Sequence, residues 1–106
     1  MNLSPLRVAE KLRSAKPPRL LDVRQPEEHE LVALPGSTLI PLSQLFHRAG
    51  ELEGWKSDEI VVYCHHGIRS QQAISLLQQL GFTKLFNLDG GIDAWSSQVD
   101  QSLPRY

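Results

Sequence analysis

The sequence predicts an α/β domain built around a mainly parallel sheet, and three observations lead to that class. Short apolar runs, Leu20-Leu21 with Val23 and Ile60-Val61-Val62-Tyr63, read as strands covered on both faces. Segments of helical period lie between the strands. In the clearest of them Ala73, Leu76, Leu77 and Leu80 follow an i, i+3, i+4, i+7 pattern, with Gln71, Gln72, Ser75, Gln78 and Gln79 turned outward. Turn residues, Pro17-Pro18, Pro35-Gly36 and Asp89-Gly90-Gly91, punctuate the alternation. Strands alternating with helices are the signature of a parallel sheet with helices on its faces.

Taken in order, Ser4 and Pro5 read as an N-cap and first helical residue, opening a helix over Leu6 to Ser14 with Leu6, Ala9 and Leu12 as its buried stripe. Arg19 to Arg24 is a short buried strand. Pro26 starts a short helix rich in Glu27, Glu28 and Glu30, whose charge suits the positive end of the helix dipole. Thr38-Leu39-Ile40 is a strand closed by Pro41, and Ser43 to about Leu52 is helical with a break near Gly50. Strand Ile60–Tyr63 leads through a cysteine-containing loop into the helix over Gln71 to Leu80, with Gly81 as its natural stop. Lys84–Leu88 is a further strand, followed by a last short helix through Trp95, itself a core residue at i+3 from Ile92; Trp55 has no assignment.

At 106 residues the chain accommodates one domain, 1–106, with the patterned part running from about 4 to 96 and a tail over 97–106. A formal net charge of −1 argues against a broad nucleic-acid or membrane footprint. A single cysteine forms no internal disulfide, and neither a signal-like N-terminus nor a membrane-length apolar run is present, so the expectation is a soluble, cytoplasmic protein.

The chemistry concentrates in Cys64-His65-His66-Gly67-Ile68-Arg69-Ser70. A lone cysteine ending an apolar strand is ordinarily an inert buried hydrophobe. Here a helix follows at once, so the thiol faces backbone N–H groups and the positive end of a helix dipole. Gly67 supplies the freedom for a tight curl. Arg69, with four residues between it and Cys64, returns across the mouth to meet an anion, and Ser70 caps the helix and donates toward the sulfur or the substrate. Dipole, inward N–H groups and guanidinium together favour the charged sulfur. Such an exposed thiolate suits attack on sulfur, phosphorus or arsenic. His65 and His66 are read as rim residues. Adjacent side chains diverge, His29 and His47 are isolated, and no second ligand cluster completes a metal site, so neither metal nor cofactor is expected.

At these residues the chain resembles the rhodanese family of sulfurtransferases. Leu21-Asp22-Val23-Arg24 followed by Glu28 is similar to the family's N-terminal signature, and Pro35-Gly36-Ser37 with Ile40-Pro41-Leu42 to the segment after it. Cys64 to Ser70 matches the active-site loop, and Leu88-Asp89-Gly90-Gly91-Ile92-Asp93-Ala94-Trp95 resembles the C-terminal signature. One departure is Val32-Ala33-Leu34, where members often carry Gly-His-Ile before the Pro-Gly turn.

The resemblance implies a three-layer domain with about five strands and an enzyme of the thiosulfate sulfurtransferase type. Cys64 would take a sulfane sulfur from thiosulfate or a related small anionic donor as a persulfide and pass it to cyanide or a thiol, free or protein-borne. Arg69 would bind the donor's oxygens, with His65, His66, Gly67, Ile68 and Ser70 lining the substrate position. Asp22, Arg24, Glu28, Gly90 and Gly91 are read as structural support, Arg24 and Glu28 pairing across a turn and Gly90-Gly91 permitting close backbone approach. Two rival readings stand beside this: a cysteine phosphatase or arsenate reductase, whose loops resemble Cys-x5-Arg rather than the Cys-x4-Arg present here, and a non-catalytic binding module with the same fold.

Overall fold

The apolar runs do assemble into one parallel sheet, and an unanticipated strand joins its edge. The computed structural model describes residues 1–106. Five strands, β1 (Asn2–Leu3), β2 (Arg19–Asp22), β3 (Thr38–Leu39), β4 (Ile60–Tyr63) and β5 (Leu85–Leu88), lie in the order β1-β5-β4-β2-β3. All pairings are parallel, and β4 sits at the centre with Leu21 opposite Val62 and Val62 opposite Asn87. The helices are α1 (Pro5–Leu12), α2 (Pro26–Leu31), α3 (Leu42–Arg48), α4 (Ile68–Gln79) and α5 (Gly91–Gln98), with a 3₁₀ helix over Ala49–Trp55. No helix is long and apolar enough to cross a membrane.

Alternation along each strand divides the core into two layers. Leu21, Ile60, Val62 and Leu85 point to one face, where Leu45 of α3 and Ala73, Ile74 and Leu77 of α4 cover them. Leu20, Val61, Tyr63 and Leu88 point to the other, against Val8 and Ala9 of α1 and Ile92 and Trp95 of α5. Every residue of β4 is buried, as a central parallel strand requires. Trp55 packs on the edge of the first layer, with the Arg19 guanidinium 5.4 Å from its ring.

Several boundaries differ from the sequence reading, each for a local reason. β1 is two residues long, too short for a periodic signal, and is held by Asn87 and Asp89 N–H groups donating to the carbonyls of Met1 and Leu3, each at 2.8 Å. In α1 the Ser4 hydroxyl accepts from the Arg7 N–H at 3.2 Å, as a cap should. The buried stripe, however, is Pro5, Val8 and Ala9, completed by Leu12, an i, i+3, i+4, i+7 set that leaves Leu6 58% exposed. The helix after Pro41 tightens into 3₁₀ geometry at Ala49, just before the break expected at Gly50. β2 ends at Asp22, two residues short of Arg24.

The β5–α5 connection fixes how the cysteine loop is presented. The first-turn N–H groups of α5 at Ile92 and Asp93 donate to the carbonyls of Cys64 and His65 at 2.9 and 3.1 Å. Those donors are free because a helix N-terminus has no internal acceptors for them. Gly91, at φ +63°, makes the approach possible, since a Cβ there would overlap the His65 backbone and stand 2.5 Å from the Cys64 oxygen. Gly91→Ala is therefore expected to destabilise the fold by about 2–4 kcal/mol through left-handed backbone strain and overpacking. Urea unfolding checks this, and a loss below about 0.5 kcal/mol, the level of an inert surface change, would contradict it.

Candidate active site

Cys64 follows the last residue of β4 and precedes α4 by three residues, at the carboxyl edge of the sheet where parallel α/β folds gather ligands. Because α5 binds the carbonyls of Cys64 and His65, the following N–H groups turn the other way. Gly67 N–H donates to Sγ at 3.0 Å and Ser70 N–H at 3.4 Å. The curl needs Gly67 at φ +115°, and that residue rather than Ser70 is the N-cap of α4. α4 thus begins at Ile68, three residues earlier than its periodicity predicts, and Ser70 lies inside its first turn. The Ser70 hydroxyl accepts from the thiol at 3.5 Å and donates to Oδ1 of Asn87, whose amide donates to Asn2 at 2.9 Å. This buried chain anchors the sulfur's neighbour to β5 and β1. The thiol is also less open than the sequence suggests, for Cys64 is only 1% exposed.

The mouth differs most from expectation. Arg69 does not stand free over the sulfur. Its Nη1 and Nη2 donate to the two carboxylate oxygens of Glu28 at 2.6 and 2.9 Å, a bidentate ion pair between α4 and α2. Glu28 also accepts from the Gln25 N–H at 3.1 Å and the Tyr106 hydroxyl at 2.7 Å. The expected Arg24–Glu28 ion pair is absent. Arg24, fully buried, instead grips Asp22 through Nε at 2.9 Å and Nη2 at 2.7 Å, reaching Glu28 only at its backbone carbonyl. Arg24 Nη2 also satisfies the Val32 carbonyl at 2.6 Å, and Asp22 accepts the Arg24 N–H at 3.0 Å. Proximity along the chain decides the exchange: Arg24 lies two residues beyond Asp22, the last residue of β2, whereas the Glu28 carboxylate faces Arg69 of α4.

His65 and His66 do not diverge as the sequence reading holds; their rings stack at 3.9 Å. On its other face His65 stacks on Tyr106 at 3.9 Å with the rings 7° from parallel. Burial first, then the neighbouring His66, lowers the His65 pKa. His66 is exposed, with Nε2 3.7 Å from Asp93. One potential ligand atom from each of His65, His66 and Asp93 falls within 4.8 Å of the others, but the Asp93 carboxylate is already clasped by Arg105 at 3.0 and 3.1 Å. Ile68 is 72% exposed beside the mouth. Gly90 caps α5 and Gly91 meets the loop, so both serve its backbone.

Two residues of the site escape sequence reasoning. Asn87 is a polar residue in an apolar strand, and that interruption is a signal of a buried partner. Tyr106 belongs to a tail with no periodicity, and its place beside His65, Glu28 and Arg24 is visible only in three dimensions. The one sizeable cavity, about 940 Å³ and bordered by Pro18, Trp55 and Trp95, lies elsewhere and includes no residue of the loop.

Comparison with known proteins agrees with this geometry. Residues 4–98 match the rhodanese-like domain family. The chain is 40% identical over 90 residues to the rhodanese-like/PpiC domain-containing protein 12 of Arabidopsis thaliana, covering 83% of this chain and 30% of that protein. It is 38% identical over 81 residues to the putative sulfur carrier protein YrkF of Bacillus subtilis, covering 76% and 43%. The chain thus spans less than half the length of either curated relative. The structure of the human single-domain sulfurtransferase TSTD1 superposes with a TM-score of 0.76 at 28% identity, over 92% of this chain and 96% of that one.

The ion pair at the mouth makes a prediction in acid. Hydrogen bonding from Arg69, opposed by burial and reinforced by Tyr106 and the Gln25 N–H, lowers the Glu28 pKa from 4.5 to about 2. A carboxylate depressed in the folded state contributes stability that is complete above its unfolded pKa and is lost as the pH falls toward the folded one. Glu28→Gln is expected to melt lower than the parent at neutral pH, with the gap closing between about pH 4.5 and about 2. Melting temperature against pH checks this; parallel curves through that window would contradict it.

Proposed function

The chain belongs to the rhodanese-like domain family, and from that premise we propose that it is a sulfurtransferase working through a persulfide on Cys64. The observation that carries the reading is the convergence of the Gly67 and Ser70 N–H groups on Sγ, at the N-terminus of α4. These donors favour a negative sulfur, and they also suit the terminal sulfur of a persulfide lying in the same cup. The Cys64 thiolate attacks the outer sulfur of thiosulfate or a related donor. A new S–S bond forms, the donor's S–S bond breaks, and sulfite departs with its electron pair. Cyanide or a thiol then attacks the outer sulfur of the Cys64 persulfide and regenerates the thiolate. The two half-reactions are separate, so the kinetics are ping-pong.

Arg69 holds the anionic part of the donor once it is released from Glu28. Ser70 presents a hydroxyl 3.5 Å from Sγ that re-aims from Asn87 toward the charged sulfur. His65, His66, Gly67 and Ile68 border the substrate position. The cytoplasm, where a single reduced cysteine persists, suits this chemistry. The relatives support the class: one is a putative sulfur carrier and another a single-domain sulfurtransferase.

Mass spectrometry tests the proposal. The reduced protein incubated with thiosulfate is expected to gain one sulfur atom at Cys64, cyanide to remove it, and Cys64→Ala to gain none. A protein that takes up no sulfur yet hydrolyses an aryl phosphate would be a phosphatase instead.

A further inference from the structure

The proposed chemistry asks Arg69 to receive an anionic donor, but a carboxylate already stands there. Both terminal nitrogens of Arg69 are engaged by Glu28, which is 19% exposed at its side chain and held from two further directions by the Gln25 N–H and the Tyr106 hydroxyl. Tyr106 is itself fixed by its stack on His65 and by Arg24 Nη1 donating to its oxygen at 2.8 Å. The second arginine nearby offers no spare charge, because Arg24 is paired with Asp22. Arg105, on the tail, is paired with Asp93. Each cation around the mouth therefore carries its own counter-charge. Cys64 beneath is 1% exposed, and the one sizeable cavity lies away from it.

Resting on the sulfur-transfer reading, we infer that Glu28 is a charge filter on the donor: it fills the anion position of Arg69, so that sulfane-sulfur donors carrying one negative charge are favoured over dianions such as thiosulfate. A dianion approaching Arg69 has to displace a carboxylate fastened at four points and then remain beside it. A thiosulfonate or an alkyl persulfide presents the same transferable sulfur with one charge fewer. With a thiosulfonate, Cys64 thiolate attacks the terminal sulfur, the sulfur–sulfur bond breaks, and a sulfinate leaves with the bonding pair; charge and electrons balance without an oxidant or reductant. Tyr106 acts through Glu28 and is a positioning residue.

The matched probes are sodium thiosulfate and sodium methanethiosulfonate, which differ at the leaving group by one charge. For the parent protein kcat/KM is expected to favour methanethiosulfonate. Glu28→Gln is expected to shift the ratio toward thiosulfate by at least about tenfold, chiefly by lowering its KM, because one nearby unit charge is removed. Tyr106→Phe, which keeps the ring stack and loses one hydrogen bond to Glu28, is expected to shift it the same way by about threefold. Ionic strength supplies a readout that a purely structural role would leave alone. With thiosulfate, kcat/KM of Glu28→Gln is expected to fall more steeply with salt than that of the parent, since an unpaired Arg69 attracts the dianion. Equal ratios in parent and both variants, or identical salt slopes, would overturn the filter. If neither donor loads Cys64 in any of the three proteins, the filter falls together with sulfur transfer itself, and that outcome differs plainly from loading with unchanged selectivity. Melting curves of both variants separate a lost filter from a lost fold.

Discussion

The direction of the peptide groups between Cys64 and Ser70 is the constraint on which the site depends. A backbone segment that turns its N–H groups inward must place its carbonyls elsewhere, and a buried carbonyl without a donor costs about as much as a lost hydrogen bond. In this fold the cost is avoided by neighbour order. β5 lies beside β4, so α5 begins directly behind the loop and its unpaired N–H groups at Ile92 and Asp93 meet the carbonyls of Cys64 and His65. The N–H groups of Gly67 and Ser70 are then left to converge on the sulfur. Two helix N-termini thus act on one short segment: α5 orients it and α4 supplies its charge preference.

Around that cup the charges are arranged in closed pairs. Asp22 and Arg24 are fully buried at the end of β2, with every polar atom of the guanidinium directed at a named acceptor. Removing one partner of such a pair typically costs about 3–5 kcal/mol, because the other is left buried and uncompensated. The pair therefore acts as a brace rather than as a reagent. Glu28 and Arg69 form the outer pair, closer to water and joined to the brace through Tyr106. The site combines a rigid interior, set by backbone and buried charge, with a mouth whose ion pair can open at smaller cost.

Much of this was legible in the chain. The apolar runs located β2, β3, β4 and β5, and the position of Cys64 between β4 and a helix pointed to a tight curl with N–H groups facing the sulfur. The structure shows that curl with Gly67 at positive φ. What the sequence withheld were contacts between distant segments. Arg24 and Glu28 are four residues apart and of opposite charge, which invites a pairing, but a buried Asp22 two residues from Arg24 competes more strongly. Arg69 is separated from Glu28 by 41 positions, and Tyr106 by 78, distances at which local pattern carries no information. β1 is too short for any period, and in α1 Ala9 and Leu12 lie on the buried stripe as expected, while Pro5 and Val8 take the place given to Leu6. Ser70 reads as a cap from composition; the left-handed geometry open to Gly67 moves the helix start ahead of it.

The central claim, that the loop's N–H groups hold the transferred sulfur, is tested most directly by amide NMR of the ¹⁵N-labelled protein before and after loading Cys64 with one sulfur atom. The account predicts that the Gly67 and Ser70 amide resonances move on loading, while those of Ile92 and Asp93, which hold the loop from behind, stay nearly in place. Loaded protein in which the Gly67 and Ser70 amides do not respond would contradict it.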